Sequence, residues 1–324
     1  MNGLEGIIGN PPVVLSFGDL VLDLVFSIPE LPVRAGVDQI SSRVQIEPGG
    51  AGSFLIAGQR LGMRMVAAGA VGDDIFGRAV LDFLSVEGVD VTAALRQPGG
   101  VTTTVLVLVD QAGQHVFLGQ PGTGPDISLT PAWQSAVLQS DAVHFWGYSF
   151  HERHLAGAVL TAAQLAHSHR KPIIFDPGPL IGGAPPDETA RMLSLATAVL
   201  LTGEELALVT GGLDEEAGAR RLLGQGVRVV VVKAGARGCT LYTAGQRAHQ
   251  PAFPVEVSDT TAAGDCFAAG FTCGYLRGWP LEQVLILASA AGAAAVKKLG
   301  SGRQVPTRDE VQHIINQFDL DLDF

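Results

Sequence analysis

Residues 258–271, SDTTAAGDCFAAGF, hold the densest potential chemistry in the chain. Asp259, Thr260 and Thr261 lead into Ala262-Ala263-Gly264, and a helix is expected to open near Asp265. Backbone N–H groups at a helix start lack intrahelical acceptors and point outward. Together with the positive end of the helix dipole they attract anions, and small side chains let a phosphate reach the backbone. Asp265 is expected to stay ionised beside that positive end. It is then placed to take the proton of a hydroxyl that attacks phosphorus. The plainer alternative has Asp259 or a threonine capping the helix and Asp265 decorating its first turn.

Three other segments offer weaker signals. In EPGGAGSFLIAGQRLG, 47–62, Gly49, Gly50 and Gly52 precede an amphipathic stretch; the spacing is that of neither a dinucleotide fingerprint nor a Walker A loop. In VVVVKAGARGCTLY, 229–242, a buried strand runs into Lys233, Gly235 and Gly238. Such strand ends are where α/β sheets bind ligands, although an ordinary tight turn reads the same way. In TGEELALVTGG, 202–212, Thr202 suits a helix N-cap and Glu204 and Glu205 suit the first turn. The functional alternative gives Glu205 the ordering of water around a divalent ion. The histidines at 144, 151, 154, 167 and 169 show no ligand spacing. Cys239, Cys266 and Cys273 read as reduced, buried core thiols rather than redox or metal groups.

The elements that position these groups follow from hydrophobic patterning. Apolar runs at 13–17, 64–71, 141–146, 172–176, 197–201 and 227–232 are continuous rather than alternating, as in strands covered on both faces. Amphipathic stretches such as 154–169 and 214–224 lie between several of them, which predicts a mostly parallel α/β sheet. Hairpins are expected at 102–120, turning at 111–114, and at 239–253, turning at Ala244-Gly245. The extended stretch 21–47 and the hairpin 102–120 are expected to form a small sheet projecting from the main one. From Gly264 onward the chain reads as helical and rich in Ala and Gly.

Composition narrows the function classes. The 324 residues carry a formal charge of −11, which disfavours nucleic acid and anionic membrane surfaces as partners. The longest apolar run, 284–296, is too short to span a bilayer. The start, MNGLEGIIGNPP, lacks the basic residues of a secretory signal, so a cytoplasmic protein is expected.

Each segment is ambiguous alone, but their order resembles the ribokinase-like (PfkB) carbohydrate kinases over about residues 13–317. The family's D-T-x-G-A-G-D-x-F reads Asp259-Thr260-Thr261-Ala262-Ala263-Gly264-Asp265-Cys266-Phe267. GGAGSFLIAGQRLG, VAAGAVGDDIFGRAVLDFLSVEGVD, DAVHFWGYSF, FDPGPL, Glu205–Gly211 and the V-K-x-G-x-x-G of 232–238 follow in family order. The resemblance implies a three-layer α/β/α sandwich, one kinase domain over 1–324 with lid segments at about 21–47 and 102–120. It implies ATP-dependent phosphoryl transfer to a hydroxyl, usually a primary one, of a sugar. Asp265 would be the general base, in the anion hole of Ala262, Ala263 and Gly264. Glu205 would hold Mg²⁺ through water, and Thr202, Lys233, Gly235, Gly238 and Ser289 would line the ATP. Asp23, Gly49, Gly50 and Phe54 would meet the substrate, and Asp259 and Thr261 would lie near a K⁺ site. The lid is expected to offer an edge for a homodimer.

Departures from the family pattern blur the substrate. Phe54 replaces an asparagine that bonds sugar hydroxyls, and Thr202 replaces the asparagine of N-x-x-E. Ala262 replaces a glycine, which is tolerable only with a negative φ. Leu180 stands where an arginine would favour a sugar acid or phosphate. A neutral sugar or polyol is therefore the leading expectation. A nucleoside kinase, with Phe54 and Trp146 flanking a base, is the alternative, and a catalytically silent sugar- or nucleotide-binding protein is the reading from another class.

Overall fold

The computed structural model describes residues 10–18, 20–318, 320, 322 and 324. The signal reading of residues 1–12 therefore falls almost wholly outside the described residues. Thirteen strands are described, in chain order β1 (Val13–Phe17), β2 (Leu20–Ser27), β3 (Arg43–Gly50), β4 (Arg64–Gly72), β5 (Asp90–Gln97), β6 (Thr104–Val109) and β7 (His115–Gln120). They continue with β8 (Ala142–Trp146), β9 (Ile173–Asp176), β10 (Ala198–Thr202), β11 (Val229–Lys233), β12 (Cys239–Tyr242) and β13 (Arg247–Gln250).

Nine of these form one sheet in the order β13-β12-β11-β10-β9-β8-β1-β4-β5. From β11 to β5 every neighbouring pair is parallel; β12 and β13 add an antiparallel hairpin at one edge. Side chains alternate between two cores, as the two-residue strand period requires. Val14, Ala142, Ile174, Leu200 and Val231 face one core, and Leu15, Val143, Phe175, Val199 and Val232 face the other. The first core is closed by α1 (Ala51–Arg60), α2 (Ile75–Val86), α8 (Ala263–Leu276), α9 (Leu281–Ala295) and α10 (Arg308–Gln317). The second is closed by α3 (Pro131–Gln139), α4 (Arg153–Ser168), α5 (Pro186–Leu195), α6 (Gly203–Thr210) and α7 (Glu215–Gly224). The patterning predicted the mostly parallel sheet, and the family resemblance implied the three-layer α/β/α sandwich built around it; both are found.

Small residues let the late helices touch. At Gly270 of α8 an added Cβ would lie 2.8 Å from the Ala288 Cα of α9. The glycines and alanines there serve helix-to-helix approach as well as approach to the sheet. Cys266 and Cys273 are both buried on α8, and all three cysteines are free thiols.

The other four strands form a separate sheet in the order β3-β2-β6-β7. It uses the two segments expected to project, and its hairpin closes through Asp110 and Gln114. Register divides its side chains between two faces. Asp23, Val25, Glu47, Val105 and Val107 share one; Leu24, Phe26, Val44, Ile46, Leu106, Leu108, Val116 and Leu118 share the other. Strand β5 was not anticipated: its pattern mixes exposed Asp90 and Arg96 with buried Ala93 and Gln97, because it lies at a sheet edge. No helix among the described residues is long and apolar enough to cross a membrane.

Candidate active site

Parallel strands deliver their C-terminal residues to one edge of the sheet, where open α/β sheets form ligand sites. Trp146 ends β8 beside Asp176 at the end of β9, and Thr202 ends β10 beside Lys233 at the end of β11. Lys233 Nζ donates to Asp176 Oδ2 at 2.7 Å. Burial works against the lysine's charge, but Asp176, Glu205 and Asp265 together hold its pKa above the ordinary value. The start of α8 approaches the same ammonium: a Cβ added at Gly264 would lie 3.7 Å from Lys233 Nζ.

The turn before α8 removes the plainer alternative and corrects two expectations. No side chain caps the helix; its N-cap is Ala262. Asp259 instead braces the turn, accepting from the amide and hydroxyl of Thr261 through Oδ1 and from the Gly300 amide through Oδ2. First, Ala262 lies at φ 60°, in the left-handed region, where a negative φ was required for its methyl to sit without strain. A Cβ there costs about 1–2 kcal/mol, so tertiary contacts must hold the turn against local preference. Second, Asp265 is not held ionised by the helix end. Burial, reinforced by Asp176, raises its pKa to about 8; Lys233 opposes the shift and Asp23 adds to it. Desolvation of the carboxylate outweighs the first-turn dipole. The Ala263 amide is turned back to the Thr260 carbonyl at 3.3 Å, whereas the Gly264 and Asp265 amides precede the first helical hydrogen bond, from Cys266 to Ala262.

At the other end of the site Asp23 is 6% exposed on β2. Gly49 lies on the adjacent strand, where an added Cβ would collide with the Asp23 carboxyl, so glycine is needed for space. Gly50 is the N-cap of α1 at φ 46°. Burial raises the Asp23 pKa to about 6; Ser301 counters this by donating to Oδ2 at 2.6 Å, and Glu47 adds to it. Glu47 in turn receives the Arg303 guanidinium at 2.9 Å, and that guanidinium also stacks 4.0 Å over Phe83.

The uncapped start of α8 thus holds a buried acid, Asp265, which feels the charge of a second buried acid, Asp23. The sequence matches the pfkB family of carbohydrate kinases over residues 12–308. The chain belongs to that family. A fructokinase of Klebsiella pneumoniae is 32% identical over 313 residues, covering 91% of this chain and 96% of the relative. An ATP-dependent ribose-1-phosphate kinase of Halopiger xanaduensis is 29% identical, covering 94% and 98%. The structure of Arabidopsis thaliana ribokinase complexed with ribose and ATP superposes with a TM-score of 0.80 at 22% identity, covering 94% and 99%; it bears on the fold alone. The chain is accordingly an ATP-dependent carbohydrate kinase of ribokinase-like fold.

The remaining residues of this pfkB kinase fall around that frame. Thr202 and Glu205 form a reciprocal capping box at the start of α6, with Glu205 Oε2 accepting from the Thr202 amide at 2.8 Å. Burial raises the Glu205 pKa, Lys233 lowers it and Asp176 raises it. Gly235 and Gly238 have positive φ; at Gly238 a Cβ would collide with the Gln250 carbonyl. Ser289 Oγ lies 3.5 Å from Cys239 Sγ. Phe54 is fully buried, 4.3 Å from His144 and 5.4 Å from Trp146 between ring centroids. The three rings fill the space among themselves, leaving no slot for a base between Phe54 and Trp146. His144 is kept neutral, its pKa lowered to about 3 by burial and then by Lys233.

Sequence reasoning missed five participants. Asp176 was noted only as part of FDPGPL; its position at a buried strand end was the available signal. Ser301, Glu47 and Arg303 carry no local signal. Glu152, at the start of α4, accepts from the Thr103 hydroxyl, which itself accepts from the Gly122 amide at 2.8 Å. This chain ties both legs of the β6–β7 hairpin to the body.

Proposed function

We propose that the chain transfers the γ-phosphoryl group of ATP to a primary hydroxyl of a neutral sugar or polyol, a hexose of the fructose class being the first to test. The uncapped start of α8, with Gly264 beside the Lys233 ammonium and Asp265 in electrostatic reach of it, carries this reading. The sugar hydroxyl forms the new bond to the γ-phosphorus, the bond to ADP breaks, and Asp265 takes the hydroxyl proton. First-turn amides and Lys233 neutralise charge on the transferring group. ATP brings Mg²⁺, for which the oxygen donors of Glu205, Asp176 and Asp265 are suited. Glu205 has one oxygen engaged by the Thr202 amide, and Asp176 has both engaged, by Lys233 and the Gly178 amide, which fits a metal held through phosphates and water. Asp23 accepts from substrate hydroxyls, and the small sheet closes over them as a lid, the whole chain working as one unit.

Charge supports a neutral substrate. Asp23 and Glu47 line the sugar end, and the cation beside Glu47, Arg303, is engaged by that carboxylate and by the Phe83 ring. A phosphorylated sugar would meet acids there without a free counter-charge. The packed rings of Phe54, His144 and Trp146 speak against a nucleoside base at that place. Asp259 and Thr261 brace the turn where a monovalent cation is proposed.

The deciding experiment is ADP release with Mg-ATP against ketohexoses, aldohexoses, pentoses, polyols, sugar phosphates and nucleosides, with and without K⁺. A neutral sugar that elicits turnover abolished in Asp265→Asn supports the reading. Preference for a sugar phosphate or nucleoside overturns the substrate class, and ATP binding without turnover on any of them overturns the kinase assignment to Asp265.

The outward face of the small sheet supports a homodimer. Val44, Ile46 and Leu118 are 53%, 43% and 56% exposed beside half-buried Leu24, Phe26, Leu106 and Leu108. Sedimentation at micromolar concentration is expected to give a dimer that Ile46→Lys dissociates; a monomeric parent protein removes the proposal.

A further inference from the structure

The loop that follows α9 reaches both ends of the site within three residues. The Gly300 amide donates to Asp259 Oδ2 at 2.8 Å, the Ser301 hydroxyl to Asp23 Oδ2 at 2.6 Å, and the Gly302 amide to Ser53 Oγ at 2.9 Å. Arg303 then fastens the loop to Glu47. Ser301 is 1% exposed, so its hydroxyl is not a surface group that meets Asp23 by chance. Gly302 lies at φ 59°, and a Cβ there would sit 2.7 Å from Pro48 Cδ, so the loop is pressed against β3. A hydroxyl has one proton to donate, and here it goes to a single oxygen of the carboxylate.

We infer that Ser301 is a positioning residue for sugar binding: by occupying Asp23 Oδ2 it fixes the carboxylate's rotation and directs Oδ1 toward the substrate hydroxyls. The inference rests on the proposed role of Asp23 and adds to it a residue on a different element, 278 positions away. A freely turning carboxylate would have to be ordered at each binding event, and a hydrogen bond to a charged acceptor removes that requirement. Acting only through Asp23, Ser301 should influence the sugar and leave the nucleotide alone.

The test compares Ser301→Ala, Ser301→Thr and Ser53→Ala in the full-length enzyme with the sugar identified in the ADP-release assay. Ser301→Ala is expected to raise the sugar KM about tenfold, with kcat and the ATP KM within about twofold of the parent. Ser301→Thr, which keeps the hydroxyl, is expected to restore most of the affinity. Ser53→Ala loosens the same loop without touching Asp23, so it separates loop integrity from carboxylate orientation. The acid limb of sugar affinity, the fall in 1/KM for the sugar as pH drops through about 6, is a second readout, distinct from the limb of kcat/KM that Asp265 sets. The groups facing Asp23 are Glu47 on β3, Asp265 on α8 and the Ser301 hydroxyl. Loss of the hydroxyl removes the influence that lowers the Asp23 pKa, so the limb should move to higher pH in Ser301→Ala and stay in place in Ser53→Ala. An unchanged sugar KM and limb in Ser301→Ala, while Asp23→Ala is impaired, overturns the role of Ser301. Should Asp23→Ala itself leave the sugar KM unchanged, the reading of the sugar site fails instead. An equal rise of sugar and ATP KM in Ser301→Ala and Ser53→Ala reduces Ser301 to loop structure and overturns the inference.

Discussion

The two ends of the site manage buried acid in opposite ways. At the phosphoryl end, Asp176, Glu205 and Asp265 surround a lysine whose charge they stabilise. At the sugar end, Glu47 adds to the burial that weighs on the Asp23 charge, and the Ser301 hydroxyl relieves it. The first arrangement suits the proposed phosphoryl transfer, in which charge moves, because a fixed cation and open amides are available to phosphoryl oxygens. The second suits recognition of neutral hydroxyls, which need acceptors and no counter-ion. The positions of the supports differ as well. The lysine comes from a strand of the main sheet, whereas Asp23 sits on the small sheet and leans on a loop of the body.

Removing the base should give the largest effect. Asp265→Asn is expected to lower kcat by about 10²–10⁴-fold with ATP affinity nearly unchanged. Because the Asp265 pKa is raised to about 8, its proton-accepting form is scarce below that pH and prevails above it. Parent kcat/KM should therefore climb as pH rises toward about 8 and then level, and the asparagine variant should lose that limb; an identical profile in both would assign the base elsewhere. Next in size, Asp23→Ala should raise the sugar KM by about 10–100-fold while the ATP KM holds, which tests whether the two ends are as separate as their electrostatics suggest. The smallest effect is at the turn that joins them. Ala262→Gly relieves left-handed strain of about 1–2 kcal/mol but adds unfolded-state freedom worth about 0.5–1, for a net stabilisation of about half a kcal/mol. Denaturant unfolding reads this; a clear loss of stability would contradict the positive φ at Ala262.

Legibility in the sequence followed the same division. The phosphoryl end was largely readable because its parts are local: a small-residue turn, a strand running into Lys233, a capping pair at Thr202 and Glu205. The strands β8, β9 and β11 were readable because both faces are buried and the apolar runs are unbroken. Edge strand β5 was not, since half its side chains meet water. The protonation of Asp265 was misjudged because a first-turn position says nothing of how deeply the rest of the chain buries it. The φ of Ala262 was misjudged because the turn is held by contacts between distant segments, among them Asp259 with the Gly300 amide. Ser301 was invisible for the same reason. Asp23 was recognised by position in a motif, but what orients it comes from the far end of the chain.

The two-faced register of the small sheet has an evolutionary consequence. Asp23 points to one face while Leu22 and Leu24 point to the other, so a single-residue insertion or deletion inside β2 would exchange them. Such a change would remove the carboxylate proposed to bind the sugar and place a charge on the outward apolar face in one event. Length variation is therefore tolerable in the connection at 28–42 or the turn at 110–114, and within the strands only point substitution remains open to selection. The proposed substrate contact and the apolar outward face can each drift residue by residue, but neither can be re-phased without the other.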